Sequence, residues 1–184
     1  MNAIPQLIIP PLMHGVDYHG GECAGWIGSR KWDGCNARWT GEALLSREGH
    51  VFPAPDWFTA RLPRSPHNCE LLGDGEAAGK ASALLRCRDL TRWRTAKLMI
   101  FDAPLAPGGL AARLASVSTA CEFAEKVETF PIADRRALRE LLTLALHAGW
   151  EGLMMQPADL EFTPGRTNRL QKVKRQSLHT LRRV

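Results

Sequence analysis

Glycine and proline cut this chain into short pieces, and that feature most limits what it can fold into. The 16 glycines and 12 prolines are spread along 184 residues, so most apolar stretches are strand-length rather than helix-length. RWTGEALLSREGHVF, from Arg38 onward, sets a Thr-Gly and a Glu-Gly turn between apolar stretches and reads as strand, turn, strand. KLMIFDAP, Lys97 to Pro104, reads as a buried strand ended by proline. Shorter strand-like pieces fall at Leu7 to Ile9, Glu151 to Gln156 and Arg169 to Arg175. Two stretches carry a helical period, Leu110 to Glu125 and Asp134 to His147. The second aligns Leu138, Leu141, Leu142 and Ala145 on one face, with Gly149 as a C-cap. Asp56 to Thr59 opens a short helix that closes before Pro63. Many short strands with a few helices indicate a mixed α+β domain.

The length suits one domain, and a hydrophobic content of 45% fills a core without disulfides. The five cysteines form no C-x-x-C pair, which speaks against a structural zinc site and for reduced thiols used in packing. Pro5, Pro10, Pro11 and His14 interrupt the longest uncharged run, and no signal peptide is evident, so a cytoplasmic protein without a membrane partner is expected. The net charge is +5, and the last fourteen residues hold Lys172, Lys174, Arg175, Arg182 and Arg183 with no acid. The rest of the chain is balanced. A basic end of this kind suits a polyanion such as nucleic acid, and equally a solubilising tail.

With 18 arginines and 6 lysines, each lysine is conspicuous. Lys31, in SRKWDGCNARW, stands before Trp32 and a tight Asp33-Gly34 turn. A lysine held at a strand end against an aromatic ring is desolvated, which favours its neutral, nucleophilic amine. The four residues K-x-D-G alone are better explained by a surface lysine before a hairpin turn.

The order of the downstream motifs changes that balance. Ser46-Arg47-Glu48-Gly49 comes next, then Glu70 in NCELLG, Phe101-Asp102, Glu151-Gly152-Leu153-Met154, and Lys172-Val173-Lys174. This series resembles the nucleotidyltransferase motifs of ATP-dependent DNA ligases, a superfamily shared with RNA ligases and mRNA capping enzymes. The stretches Ala54 to Thr59, Leu62-Pro63 and Thr163 to Asn168 also have counterparts in the small ligases of phages and bacteria. The resemblance runs from about Gly25 to Arg175.

It implies two antiparallel β-sheets flanked by helices, forming an ATP-grasp-like nucleotide-binding cleft. Residues 26–176 would be the adenylation domain, 1–25 a lead-in of loop and strand, and 177–184 a basic tail. It implies ATP rather than NAD as AMP donor, Mg2+ (with Mn2+ as an alternative), nicked duplex DNA as partner, and a monomer in a bacterial or phage-infected cell. Lys31 would attack the α-phosphate of ATP, with Lys172 and Lys174 on that phosphate. AMP would then pass to the 5′-phosphate of a nick, and the 3′-hydroxyl would displace it. These are in-line displacements in which the protein positions groups and stabilises charge. Glu151 would bind the metal ion, Glu70 the ribose, and Phe101 would stack on adenine. Asp33 and Gly34 would shape the turn that presents Lys31, and Asp102 would support the metal from behind. Arg47 would contact ribose or the 5′-phosphate, and Asn36, Arg38 and Arg175 the nucleic acid.

The sequence departs from the family at several points. Asn36 stands where the family has arginine, with Arg38 as the nearest charge to replace it. Two stretches compete for the family's D-G-E motif. Asp74-Gly75-Glu76 fits by letters, and Asn68-Cys69-Glu70 fits by its distance from Trp57-Phe58 and Leu62-Pro63, which selects Glu70. Phe162 replaces a common tyrosine. The chain stops shortly after Lys174, where ligases continue into an OB-fold. A separate OB-fold domain or partner protein, with weak self-adenylation and poor sealing by this chain, is therefore the expectation. An RNA ligase or RNA end-adenylating enzyme remains an alternative, as does a weakened relative that binds nucleotide or nucleic-acid ends.

Overall fold

The computed structural model describes residues 9–74, 78–118 and 121–182. In chain order its strands are β1 (Met13–Asp17), β2 (Trp26–Lys31), β3 (Cys35–Trp39), β4 (Leu44–Leu45), β5 (His67–Leu72), β6 (Lys97–Asp102), β7 (Ala124–Lys126), β8 (Thr129–Ile132), β9 (Gly152–Pro157) and β10 (Gly165–Lys174). The helices are α1 (Asp56–Thr59), α2 (Ala78–Arg86), α3 (Leu110–Ala115), α4 (Arg135–His147) and α5 (Ser177–Leu181), with a 3-10 turn at Leu90–Thr95. The strands form two sheets, ordered β1-β10-β9-β2-β8 and β4-β3-β5-β6-β7.

Neither sheet is wholly antiparallel as expected: β1 runs parallel to β10, and β6 parallel to β7. Both exceptions place an edge strand reached by a long connection, which is what a parallel pair requires. The segment expected to supply the lead-in contributes β1 to the first sheet. Leu7 and Ile8 lie outside the described residues, and Ile9 is not in a strand.

Each sheet has its own core. On the first, α4 buries Leu138, Leu142 and Ala145 against Leu153, Met155 and Val173. Asp134 caps that helix, its carboxylate accepting from the Ala137 amide at 2.7 Å. On the second, Phe58 and Trp93 meet edge-on at 5.0 Å between ring centres, over Leu71, Leu98 and Ile100.

The helix expected over Leu110 to Glu125 ends at Ala115. Ser116 hydrogen-bonds through its hydroxyl to the Arg113 carbonyl at 2.6 Å, and the Ser-Val-Ser-Thr run that begins there disfavours helix. Phe123 and Ala124 are instead drawn into the second core, where β7 pairs with β6. The last expected strand starts earlier, at Gly165, and ends at Lys174. The basic end is not a free tail over its described part. Leu181 of α5 is 2% exposed against the α4 layer, and the Thr180 carbonyl accepts from Arg135 at 3.0 Å.

The cysteines are free, with Cys23 and Cys69 buried and Cys35, Cys87 and Cys121 partly so. Among the described residues no helix is long and apolar enough to cross a membrane.

Candidate active site

Between the two sheets lies a cleft of about 630 Å³. The turn from β2 to β3 carries the chain from one sheet to the other, and it holds Asp33 and Gly34. Gly34 is required by close approach: a Cβ there would meet the Leu71 carbonyl oxygen at 2.3 Å and Glu70 Cγ at 2.9 Å. Its backbone N–H donates to Glu70 Oε1 at 3.1 Å, so the turn is pinned to the opposite wall.

Lys31, Gly152 and Lys174 form a row across three neighbouring strands, since Gly152 pairs with Lys31 on one side and Lys174 on the other. A Cβ at Gly152 would reach the Val173 carbonyl oxygen at 2.3 Å, so only glycine lets these strands close. Glu151, immediately before it, receives both amines. Lys31 Nζ donates to Glu151 Oε2, and Lys174 Nζ lies 3.5 Å from Oε1. Lys172 and Lys174 share one face of β10 and both line the cleft, while Val173 between them faces the core. Burial holds the Lys172 ammonium below the usual lysine range. The positive charges of Lys174, Lys31 and Arg47 push the same way, against the pull of Asp17.

The second sheet supplies the facing wall, with Asn36, Glu70 and Phe101 all lining the cleft. Burial pushes the Glu70 carboxyl up to about 7, although the Asn36 amide, the Gly34 N–H and Lys31 all favour its charged form. Asn36 is the joint of this wall. Its amide nitrogen donates to Glu70 Oε2, and its Oδ1 accepts from Arg47 at 2.6 Å. Arg38 does not compensate for the missing arginine, because it donates to the Ile9 carbonyl and is not among the cleft-lining residues. Arg175 is exposed outside the cleft. Glu76 lies outside the described residues.

Asp102 lines the cleft with both carboxylate oxygens engaged by Arg113. Arg113 donates to Oδ1 at 2.6 Å and to Oδ2 at 3.1 Å, and the Ala103 amide donates to Oδ1 at 2.8 Å. The same guanidinium reaches the Gly108 and Leu160 carbonyls at 2.6 and 2.8 Å. Arg113 therefore ties the end of the Phe101 strand to the loop that carries Phe162. Sequence reasoning missed this residue, which looks like any surface arginine of an amphipathic helix. Met154, on β9, reads as core from the sequence and instead lines the cleft as well.

Among the described residues no group of three or more His, Cys, Asp or Glu could hold a metal ion alone. A hard cation that takes one carboxylate and completes its shell with phosphate oxygens and water needs no such group, and Glu151 fits that role.

No family model matches the sequence. A DNA ligase of Haemophilus influenzae is 26% identical over 162 residues, which are 85% of this chain and 60% of that protein. The chain thus spans about three fifths of its curated relative. A Lig E DNA ligase structure superposes with a TM-score of 0.80 at 28% identity, covering 91% of this chain and 70% of the other. The ATP-dependent DNA ligase of bacteriophage T7, solved with ATP, gives 0.69 at 16% identity over 89% of this chain and 68% of that one. The fold is that of the nucleotidyltransferase domain of DNA ligases.

Proposed function

We propose that this chain, an adenylation domain of the ATP-dependent DNA ligase type, carries AMP on Lys31 and delivers it to the 5′-phosphate of a nick in duplex DNA. The observation that carries the reading is the row of Lys31, Gly152 and Lys174 with Glu151 beside it, on one wall of a cleft whose other wall presents Phe101 and Glu70.

Phe101 and Met154 face the cleft from opposite sheets and suit the two faces of a purine. Glu70, held by Asn36 and Gly34, offers its carboxylate to ribose hydroxyls. The Lys31 nitrogen must give up its proton and its contact with Glu151 before its lone pair reaches the α-phosphorus. The N–P bond then forms as the bond to pyrophosphate breaks. Lys172 and Lys174 stabilise the negative charge on the equatorial oxygens. Mg2+ held by Glu151 and phosphate oxygens would neutralise charge on the phosphates. In the second step the 5′-phosphate oxygen attacks the same phosphorus and returns the amine of Lys31. Arg47, hydrogen-bonded to Asn36, would hold that incoming phosphate by its planar fork. In the third step the 3′-hydroxyl attacks the 5′-phosphate and releases AMP.

Intact mass after incubation with ATP and Mg2+ tests the reading directly. A single AMP adduct is expected in the unaltered protein and none in Lys31→Ala. An adduct of equal yield in both, or none in either with pyrophosphatase present, would overturn it. Transfer of the AMP to nicked duplex, against nicked RNA, tests the acceptor.

A further inference from the structure

His14 lines the cleft and has no part in the three displacement steps. It sits on β1, directly opposite Arg166 of β10, where the register of the two strands shifts between His14 and Val16. The strands are held close there, since a Cβ on Gly15 would meet the Leu170 carbonyl oxygen at 2.7 Å. The groups whose charge reaches the imidazole are Arg47 and Glu48 from the loop after β4, and Arg166 and Lys172 from β10. Asp17, farther along β1, is paired in register with Lys172. Three cations thus surround one imidazole, against Glu48 beside it and Asp17 beside Lys172, and the net positive field of this corner of the cleft suits a phosphate.

We propose that His14 is a phosphate ligand in this corner, and that it takes up a proton as a phosphate dianion enters. The inference rests on the cleft being an adenylation site and adds to it a residue that couples binding to pH. Burial and the three cations hold the ring below the usual histidine range, so it is neutral near pH 7. A phosphate among Arg47, Arg166 and Lys172 cancels that positive field. The imidazole then becomes a better base, and its N–H adds a charge-assisted bond to the phosphate. Phosphate affinity should accordingly rise as pH falls. The phosphate comes either from the terminal groups of ATP or from the 5′ end at a nick, and both have this chemistry.

The test follows the His14 ring by NMR of histidine-labelled Lys31→Ala protein, which has no amine to react, at ligand concentrations shown to saturate it, with His14→Gln used to assign the signal. The ligands are ATP, inorganic pyrophosphate, and nicked duplexes ending in a 5′-phosphate or a 5′-hydroxyl. The midpoint of the His14 titration is expected to rise by about one pH unit with at least one phosphate ligand and not with the 5′-hydroxyl duplex. That rise corresponds to about tenfold tighter binding to the protonated form. A rise with ATP and pyrophosphate alone assigns the corner to the triphosphate, and a rise with the 5′-phosphate duplex alone assigns it to the nick. An unmoved midpoint with every ligand overturns the proposal.

A second measurement compares phosphate-dependent affinity in His14 and His14→Gln proteins at pH 6.5 and 8.5. Their ratio cancels the phosphate's own second ionisation near pH 6. It should grow several-fold toward the lower pH, and a constant ratio overturns the proposal even if both variants bind. His14→Asn repeats the comparison should the glutamine variant fold poorly. Because neither readout needs the Lys31 adduct, failure of the adduct and failure of His14 are seen separately.

Discussion

Asn36 Oδ1 accepts a hydrogen bond from the Arg47 guanidinium at 2.6 Å, and the amide of the same side chain donates to Glu70. A neutral residue thus fixes a cation on one side and an acid on the other. An arginine could not do this, having no acceptor with which to hold Arg47. Asn36→Ala removes both bonds, each worth about 1 kcal/mol. The expected result is a loss of roughly ten- to thirtyfold in the rate of AMP-lysine formation at limiting ATP, read by single-turnover mass measurements. An unchanged rate would show that the joint is ornamental.

Glu70 gives a pH dependence whose sign is fixed by its environment. Burial raises its carboxyl from the ordinary 4.5 to about 7 in the folded protein. A raised value favours the protonated folded state, so stability is full below about pH 4.5 and is lost as pH rises through 7. Glu70→Gln removes that loss. The variant should melt higher than the parent at pH 8 and alike at pH 5, while binding nucleotide more weakly. Parallel melting curves across this range would contradict the assignment.

The pair of Asp102 and Arg113 is fully withdrawn from water, with Arg113 0% exposed. Arg113→Met leaves a buried carboxylate without its partner, at a cost of about 3–5 kcal/mol in denaturant unfolding. Adding Asp102→Leu should recover much of that loss. The Gly108 and Leu160 carbonyls stay unpaired, so recovery should be incomplete.

Gly152→Ala is the sharpest test of the lysine row. Its methyl group would press on the Val173 carbonyl and force β9 away from β10. Destabilisation of about 1–3 kcal/mol is expected. Adduct yield should fall further than stability alone explains, since Lys174 moves relative to Lys31. Comparison at a temperature where both proteins are folded separates the two effects.

Several of these features are legible in the sequence because they depend on local chemistry. Asp134 and the spacing of Leu138, Leu142 and Ala145 specify α4 without outside help. Lys172 and Lys174 fall on one face by strand period alone, and Asp33-Gly34 marks its own turn. What could not be read depends on distant partners. Whether Asn36 faces Glu70 or Arg38 replaces it is decided by the pairing of β3 with β5, which places Asn36 opposite Glu70. Arg113 gains its role only because Asp102, eleven residues earlier, ends a strand beside it. The helix after Leu110 stops short because the second core takes Phe123 and Ala124, a demand that helical period does not express. His14 reads as a break in an apolar run, and only β10 gives it neighbours.

The two walls of the cleft rest on separate hydrophobic cores, one beneath each sheet. On the proposed reading, the groups that act on phosphorus belong to one wall and most of those that hold the nucleoside to the other. Selection can therefore alter which sugar or base is accepted by repacking one sheet while leaving the reacting wall untouched. Paired substitutions drawn from opposite walls should combine close to additively wherever no charge couples them across the cleft, as Lys31 does with Glu70. Asn36 is the exception: through Arg47 it joins the nucleoside wall to the phosphate corner, so it is where those two histories would become entangled.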